Sequence, residues 1–187
     1  MSNDAIVLLK EDRKEILRLF GAYRAHLAQR ADGTADDAAG AELADRIVHT
    51  LTVHTYLEDE VLYPRLRVLL ADPATAAPEK TAAPENEVLR SYRLHRTADE
   101  LCEELAARPD GDSAEARAAH DARVLELIDT VTRHIEDEER DWFPLVRAAV
   151  SRKVLQEIGT QLLAVRETAP RPPSGPPGFP SAPEGTG

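Results

Sequence analysis

The chain has 187 residues, enough for one domain and a tail, and 42% of them are apolar, enough for a core. With 34 acidic against 23 basic residues the net charge is −11, a field that repels nucleic acid and anionic membrane, so neither is expected as a partner. Aromatics are only 4%, long Val/Ile/Thr runs are missing, and the helix formers Ala, Leu, Glu and Arg dominate, which points to an all-α fold.

A single cysteine, Cys102, excludes an internal disulfide and fits a reducing cytoplasm. The start, MSNDAIVLLKEDRKE, has no basic segment followed by an apolar one and is not read as a signal peptide. No stretch approaches twenty apolar residues, so no segment is expected to span a membrane.

The first predicted helix begins near Asp4, behind the capping candidates Ser2 and Asn3. Its seam reads Ile6, Leu9, position 13, Ile16, Phe20, Tyr23 and Leu27, the three-four spacing of a bundle helix. After a loop at 30–40, a second helix over about 41–70 carries Ile47, Leu51, His54, Glu58 and Val61 on its seam. The proline-broken stretch 72–85 connects to a third helix, about 86–107, with Val88, Tyr92, His95 and Cys102 on one face. A turn at 108–113 ends on Ser113, a candidate cap for a fourth helix that runs to about 150 with Val124, Leu127, Val131, His134, Glu138 and Leu145 inward. The segment 151–166 is amphipathic and either packs on the outside or extends the fourth helix. From Thr168 the chain carries seven of its 13 prolines and four of its nine glycines. Such a segment cannot bury a core. The expected organisation is an up-down-up-down bundle over 1–167 and a disordered tail over 168–187.

One pattern is written twice. HTYLEDEVLYP (54–64) and HIEDEERDWFP (134–144) share His-x3-Glu-x4-aromatic-Pro: His54, Glu58, Tyr63 and Pro64 align with His134, Glu138, Phe143 and Pro144. Spacing i, i+4 puts each His and Glu on one helix face, and both pairs lie on apolar seams, where bare charge is unfavourable unless compensated. About forty residues before each pair lies a lone seam residue, Arg13 in the first half and His95 in the second. At 1.5 Å per residue, positions 13, 58, 95 and 138 all fall about 13–18 Å from the same end of an antiparallel bundle. Histidines and carboxylates converging at one level form a ligand set for Fe, Mn or Zn. A satisfied polar core without metal is the alternative.

These motifs resemble the hemerythrin-like proteins, the HHE cation-binding group, over about residues 4–150. The resemblance rests on DAIVLLKED (4–12), the two repeats and His95. It implies a four-helix bundle holding a non-haem di-iron centre, with each glutamate bridging the irons. Carried over, the ligands are His54, Glu58, His95, His134 and Glu138. The family's first histidine falls on Arg13, and arginine is not a metal ligand. Three arrangements fit that departure. A neighbour such as Tyr92 or Asp99, or a water, replaces the lost ligand. Alternatively one metal is lost and Arg13 fills the vacancy by pairing with a glutamate. In the third, Arg13 turns out of the seam.

The expected function is to bind, sense or detoxify O2, peroxide or NO at iron, with Arg13 beside the metal as an electrostatic or substrate-anchoring group. The alternatives are an oxidase- or peroxidase-like enzyme acting on an organic substrate, and a metal-free helical interaction module. His26, His49 and His120 are read as surface or bundle-end residues, Cys102 as a small buried residue, and Trp142 as core filling or a wall of the pocket.

Overall fold

The computed structural model describes residues 3–70, 84–107 and 113–169. The proline-broken connection, most of the 108–113 turn and the tail from 170 lie outside the described residues. Everything described is helical or connecting, with no strand among these residues.

Helix α1 is Ala5–Ala31. Its cap is Asp4, one residue beyond the candidates Ser2 and Asn3: the Asp4 carboxylate accepts the Val7 N–H at 3.2 Å. A carboxylate also suits the positive end of the helix dipole. The helix closes on Gly33, whose φ of +72° is the left-handed value glycine adopts at no cost. There the Thr34 N–H reaches back to the Gln29 carbonyl at 2.9 Å and the Gly33 N–H to Arg30 at 3.0 Å. This paired closure satisfies carbonyls that the helix end would otherwise orphan.

Helix α2 covers 37–70 in three continuous pieces: Asp37–Leu57, a π-helical turn Glu58–Leu62, and Tyr63–Leu70. Helix α3 is Pro84–Ala106. Helix α4 covers 114–149 in the same manner, as Ala114–Asp137, a π-helical turn Glu138–Trp142, and Phe143–Ala149. Ser113 caps it as expected, accepting the Ala116 N–H at 3.1 Å. Val150 then turns to extended backbone, so 151–166 is not an extension of α4. It forms a separate helix, α5, Arg152–Arg166, capped by Ser151. Helix α5 lies against α1 and the first π turn. Gly159 marks the closest approach, since a Cβ there would sit 1.7 Å from the Asn3 carbonyl oxygen.

The π turns account for the repeated proline. Proline has no N–H and its ring crowds the carbonyl four residues back. In each repeat the residue before proline skips that register: the Tyr63 N–H bonds Glu58 O, and the Phe143 N–H bonds Glu138 O, each five residues back. The wider turn inserts one residue and shifts the downstream seam by one. Hence Val146, not the expected Leu145, is fully buried in α4, and Tyr63 and Leu66 continue the buried line of α2.

The interior is layered. One apolar cluster holds Ile16, Phe20, Tyr23, Ile47, Leu51, Leu101, Leu127 and Val131. The other holds Ile6, Leu9, Leu57, Leu66, Val88, Trp142, Phe143, Val146 and, from α5, Leu155, Ile158 and Leu162. Between these clusters every helix of the bundle places buried polar residues: Arg13, then His54 and Glu58, then Ser91 and His95, then His134 and Glu138. The four-helix bundle therefore encloses a charged slab between two hydrophobic floors.

Candidate metal centre

Each charged side chain of the slab is buried, Arg13 to 1% exposure and Glu58 to 0%. Ions taken out of water at this depth persist only when paired and hydrogen-bonded. Arg13 Nη2 meets that need twice. It donates to Glu58 Oε1 at 2.9 Å and to Glu138 Oε2. Its guanidinium also lies over the Phe143 ring, 4.3 Å from the centroid. Burial works against the guanidinium's charge, but the two carboxylates outweigh it and hold Arg13 protonated more firmly than usual.

The other oxygen of Glu58 faces a different group. Oε2 lies 3.3 Å from His95 Nε2, 3.3 Å from the Tyr63 hydroxyl and 3.6 Å from His54 Nε2. Burial alone would raise the Glu58 carboxyl, yet the neighbouring His54, Arg13 and His95 hold it well below the usual carboxylate range. Glu138 Oε1 accepts the Tyr63 hydroxyl at 2.7 Å and the Ser91 hydroxyl at 2.9 Å. Tyr63 is kept protonated, its hydroxyl pushed well above the ordinary value by burial and by the two glutamates.

His95 and His134 point their Nε2 atoms at one another across 2.9 Å. His95 Nδ1 lies 2.7 Å from Asp59 Oδ1. With the Nδ1 proton given to Asp59, the Nε2 lone pair turns inward, the arrangement that orients a ligating imidazole. Burial opposes a charge on His95, but Asp59 and Glu58 pull its value up to about 10. His134 is pushed the other way, chiefly by burial. Glu58, His95 and His134 offer ligand atoms that all lie within 4.8 Å of one another. Two facing imidazole lone pairs and a carboxylate oxygen fit one transition-metal cation.

Of the residues singled out in the sequence, Arg13, His54, Glu58, His95, His134 and Glu138 thus converge at one level. The two proposed replacement ligands do not. The Tyr92 hydroxyl donates to the Asp59 carbonyl at 3.3 Å, and Asp99 accepts from Thr55 Oγ1 at 3.2 Å. The inward line of α3 runs through Ser91, His95, Ala98 and Cys102, and Tyr92 and Asp99 flank it. Nor does Arg13 turn out of the seam. His54 is buried, but neither ring nitrogen has a hydrogen-bond partner, and Asp12 stands 4.0 Å from its Nδ1. His26 is buried rather than superficial, packed where a Cβ on Gly40 would come within 2.5 Å of its Nε2. Cys102 is buried in the apolar floor as expected, and burial pushes its thiol up to about 12. The sequence reading missed the roles of Tyr63, Ser91 and Asp59, although Ser91 stands one helical turn before His95 and Asp59 adjoins Glu58.

The model of the hemerythrin HHE cation-binding domain matches residues 4–146. The chain belongs to this family. Comparison with curated proteins and with solved structures finds no match. A hemerythrin HHE domain is a cation-binding bundle, and the buried His/Glu group of this one is a site that could bind metal. Among the described residues no helix is long and apolar enough to cross a membrane.

Proposed function

We propose that the protein is a non-haem iron protein that binds and processes a small oxidant, O2, peroxide or NO, at the buried centre between α2, α3 and α4. The observation that carries this reading is the Glu58, His95 and His134 group with His95 braced from behind by Asp59. Three protein ligands leave coordination positions for an exogenous ligand, and nitrogen with carboxylate donors suits iron, with manganese and zinc accepted by the same set. When bound, iron would supply the electrons or the Lewis acidity. The chain supplies a buried, water-poor surround, the Tyr63 hydroxyl, which donates to Glu138, and a fixed cation in Arg13. The Nε and Nη1 donors of Arg13 are buried without hydrogen-bond partners. Nη1 stands 3.9 Å from Glu139 Oε1, and the fixed positive charge of the guanidinium beside the centre favours redox chemistry over simple carriage.

Protein purified without added metal, then reconstituted anaerobically with Fe(II), should retain iron through desalting. Its visible absorption should change on adding O2, peroxide or NO. Iron retention without any response to the three would mark a structural metal and end the proposal.

A second reading has one specific support. A cavity of about 280 Å³, lined by Asp12, Glu15, His49, Val53, His54 and Arg166, opens beside His54. It could admit part of an organic substrate, which would make the protein an oxidase. The cation on its wall is Arg166, held by Asp12, and not Arg13. Turnover of an organic reductant with peroxide would support this reading over the first.

A further inference from the structure

We infer that the centre holds one metal ion per chain, at Glu58, His95 and His134, and that the Arg13 guanidinium permanently occupies the place of a second. This rests on the metal-binding reading above and specifies it.

A carboxylate bridges two cations by giving one oxygen to each. Glu58 is disposed in that way, with Oε1 on Arg13 Nη2 at 2.9 Å and Oε2 beside His95 at 3.3 Å. Glu138 likewise commits Oε2 to Arg13, while its other oxygen is filled by the Tyr63 and Ser91 hydroxyls. The guanidinium is therefore the first of two cations, and the group at Glu58, His95 and His134 is the seat of the second. The first cannot be exchanged for a metal by losing a proton, since arginine keeps its charge at any usable pH. Nor is it free to leave, being buried under Phe143 and bonded to both glutamates.

Charge points the same way. The two glutamates and Arg13 together carry one negative charge, so a single divalent ion leaves the group at one positive charge and a second would leave it at three. A second ion would leave several uncompensated positive charges in a water-poor slab, where repulsion is strong. The assignment also explains His54. It aligns with His134 in the repeat, yet neither of its nitrogens makes a hydrogen bond, because the ion it would have ligated has been replaced by a group that is a donor only to the glutamates.

The test is Mn(II) loading of the full chain, read by elemental analysis after desalting and by electron paramagnetic resonance. Wild type should retain one Mn(II) per chain, with the resolved hyperfine pattern of an isolated ion. His54→Ala should retain the same single ion, and His95→Ala should lose it. Arg13→His should take up two ions, with the altered spectrum of a coupled pair. Two ions per wild-type chain would overturn the inference and leave the metal reading standing. Loss of the ion from a His54→Ala protein that keeps its helical circular dichroism would also overturn it. No retained metal in wild type would overturn both. The wild-type count and His54→Ala decide the matter even where Arg13→His fails to fold.

Discussion

The two halves of the bundle share a backbone and differ in chemistry. Each has a lone seam residue on one helix, then a His-x3-Glu pair that opens into a π turn before an aromatic-proline step. In the second half the lone residue is His95, which faces His134 and is braced by Asp59. In the first it is Arg13, which spans both glutamates and leaves His54 without a hydrogen bond. The aromatics differ to match. Tyr63 sends its hydroxyl into the centre, whereas Phe143 offers a bare ring to the guanidinium. A repeated backbone thus carries a fixed organic cation at one end and two facing imidazoles at the other, with the carboxylates between satisfied from both sides.

The sharpest way to break this comparison is to remove the cation. Arg13→Ala leaves two carboxylates buried and facing each other, and breaking a buried pair costs about 3–5 kcal/mol. The metal-free variant is expected to lose about that much in urea denaturation. Divalent metal should restore a large part of it, because an ion then stands where the guanidinium stood. A loss below about 1 kcal/mol would show that Arg13 is not what neutralises the glutamates.

Much of this was legible before the structure. Seam spacing placed Arg13, His54, Glu58, His95, His134 and Glu138 at one depth, because helical rise is constant and short loops force antiparallel neighbours. The pairing of Arg13 with a glutamate was one of the open arrangements. What could not be read was the register after each glutamate. Pro64 and Pro144 mark a disturbance of the helix but not that it adds a residue, so Leu145 looked inward where Val146 is. Side-chain aim was the other gap. Tyr92 and Asp99 stand at helical spacing from His95, but the Tyr92 hydroxyl bonds the Asp59 backbone and the Asp99 carboxylate accepts from Thr55. Ser91 takes the inner position instead, and Asp59 backs His95 from outside.

A smaller effect should come from the bracing carboxylate of the second half. Asp59→Asn keeps the shape but weakens the hold on the His95 Nδ1 proton, and outer partners of this type are typically worth 10–100-fold in metal affinity. The same exchange at Asp12, which stands 4.0 Å from His54 Nδ1, is expected to leave metal affinity within about threefold, well under the effect of an outer partner. Isothermal titration with Mn(II) distinguishes the two. Equal effects at Asp12 and Asp59 would mean that His54 and His95 serve the metal alike, and the asymmetry between the halves would fail.

The mildest perturbation is Tyr63→Phe, which gives the first half the aromatic of the second. It removes one donor to Glu138 Oε1, yet Ser91 and Arg13 still satisfy that carboxylate. The expected loss is about 1 kcal/mol, the net value of one buried hydrogen bond whose acceptor keeps other partners. The consequence at the metal should be larger than at the fold. Glu58 Oε2 and His95 Nε2 both lie within 3.4 Å of the Tyr63 hydroxyl, so removing it frees space and a lone pair beside the proposed ligands. The variant should therefore bind Mn(II) with unchanged stoichiometry while its electron paramagnetic resonance parameters shift. An unshifted spectrum would place the ion away from Tyr63, and with it away from Glu58 and His95.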